Sequence, residues 1–324
     1  MPLQAAPSVE PCGSTADSAW TLLRAASALA GALDREQAGA LFVPSEDGLR
    51  RSPIDRPDVV LAWRQGIGWE SRLPPEDPRF ELVNLYLPIC SATAARPMTV
   101  GHLGQSLDGF IATPSGDSQF VTGGDNIIHV HRMRALCDAV VVGAGTVAAD
   151  DPQLTTRLVS GPSPLRVIFD PGRRLTPAFR VLTDQVEPAL YICGRAHLAA
   201  GETHVGTAGI AAIESGEPGD EAAQALALLR ARGCARVFVE GGGVTVSAFL
   251  EANLLDRLQI AIAPVLIGNG RAAIRLAPQT RLQDCRRPGY RVFRMGGDVL
   301  FDCELRVRAD AVGTPAPGTV HRVI

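Results

Sequence analysis

Apolar runs and amphipathic stretches alternate through most of the chain. An uninterrupted apolar run at residues 139–143 is typical of a buried strand, and a further strand is predicted at residues 236–240. Residues 126–136 and 220–233 instead place apolar side chains three and four positions apart, which is typical of amphipathic helices. Strands that alternate with helices predict an α/β domain with a mainly parallel sheet. Two apolar runs that flank a pair of glycines at residues 292–305 predict an antiparallel hairpin at the edge of this sheet.

The N-terminal part of the chain has a different pattern. A helix is predicted over residues 19–33, and two short strands are predicted around Gly66 and Gly68. A small α+β segment is therefore expected before the α/β domain, and a Pro- and Gly-rich loose tail after it. The expected bounds of the segment, the domain and the tail are residues 1–95, 96–310 and 311–324.

The N-terminal segment lacks the motifs of a zinc nucleobase deaminase. Such an enzyme needs an H-x-E element and a P-C-x-x-C element. The first histidine of the chain is His102, and no two cysteines are spaced as C-x-x-C. The sequence therefore excludes this activity for the segment and indicates no other.

Composition and charge exclude several classes of partner. The formal net charge is −3 and aromatic residues make up 5% of the chain, which argues against nucleic acid and membrane surfaces as partners. Seven cysteines without a C-x-x-C pair favour reduced thiols over disulfides or a structural metal. The start of the chain has no basic signal region, and the apolar stretch at residues 19–33 is too short to cross a bilayer. The expected location is the cytoplasm.

Two glycine-containing turns follow predicted strands. Gly241, Gly242 and Gly243 lie between a strand and a helix, where close backbone approach and free N–H groups suit a pyrophosphate. A tight turn without a ligand is about equally compatible with this segment. In the second turn, at residues 143–146, Thr146 can cap a helix or contact a phosphate. Two such turns in one sheet favour a cofactor with phosphates, although the G-x-G-x-x-G fingerprint is absent.

Six blocks of sequence carry a family resemblance. In chain order they are SLDGFIA at residues 106–112, GDSQFVTG at 116–123, HRMRALCDAVVVGAGTVAADDPQLTTR at 131–157, RVIFD at 166–170, VEGGG at 239–243 and APVLIGNG at 263–270. With these blocks, residues from about 96 to 305 resemble the pyrimidine reductase domain of riboflavin biosynthesis. The resemblance implies a dihydrofolate-reductase-like, three-layer α/β/α fold and a homodimer. It also implies hydride transfer from NADPH to the ribose C1′ of a phosphorylated pyrimidine, 5-amino-6-(5-phosphoribosylamino)uracil.

The same resemblance implies roles for single residues. The implied cofactor contacts are Gly104, Phe120, Thr146, Asp150, Pro171, Gly241, Gly242, Gly243, Val244 and Thr245. The implied substrate contacts are His102, Ser118, Arg134, Leu154, Arg157 and Glu240. Glu240 is also a catalytic candidate, because a carboxylate there can accept pyrimidine N–H bonds and stabilise developing positive charge. Asp151 is proposed as an orienting or proton-relay group.

Simpler interpretations compete with three of these assignments. Arg134 could be a solvated charge on a helix, Glu240 could cap the following helix, and His102 could be a plain polar lining residue. His129 and His131 point to different faces of a helix at their spacing, so a shared metal is improbable and a solvated face is favoured.

Two positions depart from the family pattern. His102 stands where the family usually has a lysine, and Phe120 replaces a tryptophan. A histidine is a weaker fixed cation than a lysine, so the exact substrate is open. The alternative is an NADPH-dependent reductase of another pterin or pyrimidine. A non-catalytic binder is the alternative of a different class.

Overall fold

The computed structural model describes residues 15–119 and 121–306 of the chain. Contacts group these residues into two compact units that divide between Met98 and Thr99. Phe120 and the expected tail at residues 311–324 lie outside the described residues. Within the part that is described, no helix is both long and apolar enough to cross a membrane.

The N-terminal unit consists of a small antiparallel sheet and two helices. Its sheet has the strand order β2-β1-β3-β4, and all three of its pairings are antiparallel. The elements are α1 (Thr15–Glu36), β1 (Ala40–Ser45), β2 (Gly48–Ser52), β3 (Leu61–Arg64), β4 (Gly68–Ser71) and α2 (Phe80–Cys90). The predicted helix and the two strands around the glycines are confirmed. The sequence patterns did not predict β1, β2 or α2.

The core of this unit is built on aromatic side chains. Trp63 and Trp69 lie edge to face with ring centroids 5.3 Å apart, and Phe42 packs on Trp69 at 5.1 Å. The indole N–H of Trp69 donates to the carbonyl of Ala26 in α1 at 3.1 Å. Aromatic pairs in this geometry add to the stability gained from burial, so they help a small unit to form a core.

The second unit alternates strands with helices, as the apolar pattern predicts. Its strands are β5 (Met98–Ser106), β6 (Phe110–Ala112), β7 (Ala139–Gly143), β8 (Leu165–Phe169), β9 (Ala189–Gly194), β10 (His204–Val205), β11 (Ala208–Ile213), β12 (Arg236–Glu240), β13 (Arg257–Ala263), β14 (Arg271–Ala272), β15 (Gly289–Met295) and β16 (Asp298–Glu304). Its helices are α3 (Gly124–Leu136), α4 (Ala144–Asp150), α5 (Arg180–Thr183), α6 (Pro218–Ala231) and α7 (Gly243–Glu251).

Ten of these strands form one sheet in the order β10-β11-β9-β8-β7-β12-β5-β13-β16-β15. Neighbouring strands pair in parallel along the order β11-β9-β8-β7-β12, and β5 pairs in parallel with β13. The β15–β16 hairpin is antiparallel and continues the sheet beyond β13. The predicted mainly parallel sheet with an antiparallel edge hairpin is therefore confirmed.

Helices cover both faces of the sheet. Alternate residues of β7 and β12, such as Val141 and Val239, belong to one core that includes Phe249 of α7 and Leu229 of α6. The opposite face carries His102 of β5, whose ring packs against Phe238 of β12 and His129 of α3. Strands that are buried on both faces read as uninterrupted apolar runs, which explains the pattern of the sequence.

One apolar run is longer than the strand that it forms. The apolar pattern favours a strand over residues 256–270, but β13 ends at Ala263. The residues that follow form a loop held by Asp108, whose carboxylate accepts hydrogen bonds from the N–H groups of Ile267 and Gly268. Apolar composition continues into this loop, and Leu266 is exposed there.

Candidate active site

A cavity of about 760 Å³ lies in the second unit, where the central parallel strands end. Its walls include Gly143 at the end of β7, Phe169 at the end of β8 and Glu240 at the end of β12. The carboxyl ends of parallel strands are where open α/β sheets bind ligands, because loops and helix N-termini converge there. Most of the predicted site residues line this cavity.

The two glycine turns meet on one wall of the cavity and are joined by a hydrogen bond. The N–H of Gly242 donates to the hydroxyl of Thr146 at 2.8 Å. Gly143, not Thr146, is the N-cap residue of α4. The helix-cap interpretation of Thr146 is therefore wrong, and its hydroxyl instead connects the turn before α4 to the turn before α7.

The glycines of these turns are required for different reasons. A Cβ on Gly243 would lie 2.1 Å from the carbonyl oxygen of Ala273, so packing alone requires glycine there. Gly241 has a φ of +98°, which disfavours other residues. A Cβ on Gly242 would meet only the Thr146 hydroxyl at 3.0 Å, and one on Gly145 would meet nothing within 4 Å. Gly242 and Gly145 thus leave open backbone beside the cavity.

A buried ion pair joins α3 to the end of β12. The Nε and Nη2 atoms of Arg134 donate to the two carboxylate oxygens of Glu240 at 2.9 and 2.5 Å. Arg134 also donates to the carbonyl of Thr155 at 3.2 Å. The side chains of Arg134 and Glu240 are 7% and 15% exposed. The interpretation of Arg134 as a solvated charge is therefore wrong. Glu240, for which a role as a helix cap was the simpler interpretation, forms an ion pair with this arginine.

A second cation lies near this pair without a counter-ion. Arg157 lines the cavity, and no described carboxylate forms an ion pair with its guanidinium. Partial burial, and then repulsion from Arg134, lower the pKa of the Arg157 guanidinium. Its backbone N–H donates to Nδ1 of His131 at 3.1 Å. This part of the cavity therefore holds an excess of positive charge.

Ser118 and Asp150 form a polar contact on the same cavity. The Ser118 hydroxyl donates to the Asp150 carboxylate at 3.2 Å. Burial raises the pKa of Asp150, the bond from Ser118 opposes this change, and the charge of Glu240 adds to it. A predicted substrate contact and a predicted cofactor contact thus lie within hydrogen-bonding distance of each other.

His102 is a neutral residue of the cavity wall. Its side chain is 3% exposed. Burial lowers the pKa of His102 to about 4, although Glu240 and the Asn126 side chain oppose the change. Within the described residues, no hydrogen bond of normal geometry is formed by either ring nitrogen of His102. The imidazole at this position therefore does not supply the charge that a lysine would.

The predictions of a solvated face for His129 and His131 are wrong. His129 is fully buried, and its Nε2 lies 3.0 Å from the side-chain oxygen of Gln259 in β13. His131 is 1% exposed and lines the cavity. The two residues do point to different faces of α3, but the sheet covers one face and the loop before Arg157 covers the other.

Two predicted site residues lie away from the cavity. The Asp151 carboxylate binds Arg180, accepting from its backbone N–H at 2.7 Å and from its Nε at 3.1 Å. The Leu154 side chain is fully buried and has a left-handed backbone with a φ of +60°. Neither side chain lines the cavity, so this geometry does not support the proposed proton relay through Asp151.

The remaining predicted residues and several unpredicted ones share the cavity. Those predicted are Gly104, Pro171, Gly241, Gly242, Gly243, Val244 and Thr245, and those not predicted include Asn126, His131, Arg174, Arg271 and Arg275. The arginines after β8 and β13 carried no signal beyond their charge. The signal that could have identified His131 is its place at the start of the longest family block.

Structural comparison defines the class of this fold. A deaminase and 5-amino-6-(5-phosphoribosylamino)uracil reductase from Thermotoga maritima superposes with a TM-score of 0.56 at 24% identity, over 69% of this chain and 59% of that one. Acinetobacter baumannii RibD superposes with a TM-score of 0.55 at 22% identity, over 89% of this chain and 98% of that one. The large sheet therefore has the dihydrofolate-reductase-like fold that the resemblance implied.

Sequence comparison then gives the family. The model of the RibD C-terminal domain matches residues 98–292, and the chain belongs to this family. A 2,5-diamino-6-ribosylamino-4(3H)-pyrimidinone 5′-phosphate reductase of Methanothermobacter thermautotrophicus is 35% identical over 53% of this chain and 80% of its own length. Its counterpart in Archaeoglobus fulgidus is 30% identical over 59% of this chain and 91% of its own length. Riboflavin biosynthesis protein RibD of Mycobacterium tuberculosis is 33% identical, and the match covers 42% of it.

Proposed function

We propose that the chain is an NADPH-dependent reductase of riboflavin biosynthesis that acts on a phosphorylated ribosylaminopyrimidine. The observation that supports this most strongly is a single cavity lined by two chemically different groups of residues. One group offers open backbone at Gly145 and Gly242, and the other consists of the Arg134–Glu240 pair and Arg157, which has no described ion-pair partner. The reductases of two archaea named above share enough sequence with this chain to make the same substrate class the leading candidate.

The residues of the glycine turns fit a dinucleotide phosphate. The backbone at Gly242 is open to the cavity, and α7 begins with free N–H groups directly after it. A bound NADPH supplies the hydride. Thr146 holds the turn at Gly242 in place, so the backbone is ordered before the cofactor arrives.

The side chains of the second group of residues bind and orient the substrate. Arg157 is a permanent cation suited to the ribose phosphate. The Glu240 carboxylate keeps free lone pairs after it binds Arg134, so it can accept N–H bonds from the pyrimidine. It also places negative charge beside a C1′–nitrogen bond that carries partial positive charge as hydride is transferred.

The proposed reaction balances as a two-electron reduction. The ribose opens to give a C1′=N double bond. Hydride forms a new C1′–H bond, and the former double-bond electrons remain on nitrogen, which takes one proton from solvent or a side chain. NADPH becomes NADP⁺, and the product is a ribitylamino pyrimidine phosphate.

The proposal includes a homodimer, which light scattering can test.

The second candidate is a reductase of another pterin or pyrimidine, and His102 is the observation that favours it. The family lysine is replaced by an imidazole that is uncharged at neutral pH. A His102→Lys variant that gains activity on riboflavin-pathway pyrimidines, when the wild type lacks it, would support this candidate.

The decisive experiment measures NADPH oxidation with a panel of substrates. The panel contains 2,5-diamino-6-ribosylamino-4(3H)-pyrimidinone 5′-phosphate, 5-amino-6-(5-phosphoribosylamino)uracil and dihydrofolate. We expect turnover of at least one of the first two and none of the third. Turnover of dihydrofolate alone would favour the second candidate. No turnover, and no thermal shift at NADPH concentrations far above a micromolar Kd, would favour a non-catalytic binder.

A further inference from the structure

His131 occupies a position between a helix and a loop of the active site. It belongs to α3, three residues before Arg134, and its ring lines the cavity. Nδ1 of this ring accepts a hydrogen bond from the backbone N–H of Arg157 at 3.1 Å. The loop that presents the Arg157 guanidinium is therefore attached to α3 through the imidazole.

This hydrogen bond determines which ring nitrogen carries the proton. Burial, followed by the charges of Arg134 and Arg157, lowers the pKa of His131 to about 3, so the ring is neutral in the physiological range. A neutral imidazole has one acceptor and one donor nitrogen. Because Nδ1 accepts from Arg157, Nε2 carries the hydrogen.

The Nε2–H group is a donor without a protein acceptor in the described part of the chain. Within the described residues Nε2 of His131 forms no hydrogen bond, and the ring lines the cavity although the residue is only 1% exposed. A polar N–H at a cavity wall is satisfied by water or by a ligand that accepts hydrogen bonds. The ligand that fits here must therefore offer an acceptor.

The charges around His131 specify the kind of acceptor. The Arg134 guanidinium forms an ion pair with Glu240, whereas no described carboxylate forms an ion pair with Arg157, on which Glu240 acts only from a longer distance. One uncompensated arginine beside a neutral N–H donor suits a phosphate, which carries negative charge and several acceptor oxygens.

We propose that His131 is a direct ligand of the substrate's ribose phosphate, with Nε2–H donating to a phosphate oxygen that Arg157 also binds. His131 then has two functions, because the same ring positions the Arg157 loop through Nδ1. The inference rests on the proposed function only in taking the substrate to be phosphorylated.

Two substitutions separate these functions of the ring. His131→Asn keeps an oxygen near the position of Nδ1, so it can still accept from the Arg157 N–H, but it has no donor at the position of Nε2. His131→Gln places an amide donor near the position of Nε2 and removes the acceptor near Nδ1. His129→Asn is the matched control, because it is a buried histidine of the same helix that does not line the cavity.

The experiment compares each pyrimidine phosphate with its dephosphorylated counterpart. For wild type, kcat/KM should be much higher for the phosphorylated compound. His131→Asn should lower kcat/KM about tenfold for the phosphorylated compound and leave that of the dephosphorylated compound and the KM for NADPH unchanged. His131→Gln should recover part of the preference, and His129→Asn should retain all of it. Equal losses on both compounds would overturn the proposal and leave only a structural role.

A binding measurement keeps the test independent of turnover. Inorganic phosphate is titrated into protein saturated with NADP⁺, and the chemical shift of the His131 ring nitrogen is followed by NMR. We expect a saturable shift in wild type and about tenfold weaker phosphate binding in His131→Asn. Phosphate that binds both proteins equally would overturn the proposal. If wild type reduces no pyrimidine but binds phosphate at His131, the proposed function fails and the phosphate site stands.

Discussion

Arg134 and Glu240 lie 106 positions apart in the sequence, and in the structure they form a two-bonded ion pair inside the active-site cavity. Replacing one member leaves the other charge buried without its partner, which is more costly than losing both charges. We expect Glu240→Gln to lower the free energy of unfolding by about 3 kcal/mol and kcat by at least tenfold. Urea unfolding and steady-state kinetics measure the two effects.

The double variant Arg134→Met, Glu240→Gln separates stability from catalysis. Because neither charge remains, we expect its free energy of unfolding to recover towards that of wild type while its kcat stays low. If activity recovers together with stability, the ion pair serves the fold alone, and Glu240 has no direct part in the reaction.

The bond between Thr146 and Gly242 provides a test of the cofactor wall. Thr146→Val removes the acceptor of the Gly242 N–H while nearly preserving side-chain volume, so the turn before α7 loses its attachment. We expect a KM for NADPH about five- to tenfold higher, as the loss of one hydrogen bond of about 1 kcal/mol predicts, with little change in the KM for the pyrimidine. Thr146→Ser should behave like wild type, since it keeps the hydroxyl.

Open backbone at Gly242 is expected to be needed for the cofactor and not for folding. In Gly242→Val the side chain meets the Thr146 hydroxyl and projects into the cavity, so NADPH should bind at least tenfold more weakly in a fluorescence titration. Gly209→Val in β11 is the control, because a Cβ there meets nothing within 4 Å and the residue does not line the cavity. An unchanged affinity in Gly242→Val would place the cofactor elsewhere.

The unpaired Arg157 should act on the substrate alone. Its replacement by alanine removes a charge-assisted hydrogen bond of about 2–3 kcal/mol, so the KM for the phosphorylated pyrimidine should rise roughly 30- to 150-fold. The KM for NADPH should change less than twofold. Arg195→Ala removes an exposed arginine paired with Glu214 outside the cavity and should change neither value. If Arg157→Ala raised the KM values for NADPH and for the pyrimidine equally, the assignment would be contradicted.

Buried histidines make stability sensitive to acid. Burial lowers the pKa of His102 to about 4 and that of His129 well below its usual value. In the unfolded chain, histidine side chains have a pKa near 6.5. Above about pH 6.5 both states are neutral, and between about 6.5 and 4 only the unfolded state binds the protons. Each histidine should therefore reduce stability by about 1.4 kcal/mol for every pH unit below about 6. Urea unfolding at several pH values measures the slope, and His129→Asn should reduce it; an unchanged slope would contradict this account.

The sheet of the second unit could be predicted because burial on both faces leaves apolar runs, such as the whole of β7 and residues 237–239 of β12. The end of α6 could also be predicted, since Gly233 takes a φ of +85° that other residues avoid. The short strands β1 and β2 could not, because only half of β1 is buried and β2 contains two arginines. Pairing within the small sheet, of β1 with β2 and with β3, stabilises these strands.

The site could be predicted only in part, for a related reason. Local pattern identified the two glycine turns, and resemblance added single residues to them. His129 and His131 are buried because other elements cover both faces of α3. The periodicity of one helix does not reveal which elements pack against it. The pairing of Arg134 with Glu240 and the binding of Asp151 to Arg180 depend on chain segments that meet only in the folded structure.

The strand order has a consequence for how this enzyme is made. β12 lies between β5 and β7, although the ribosome delivers it after every strand from β5 to β11. A nascent chain that stops short of β12 therefore has a gap at the centre of its sheet and lacks Glu240 and the second glycine turn. The lining of the cavity extends to Arg275, so the cavity is completed late in synthesis, only after this residue has emerged from the ribosome.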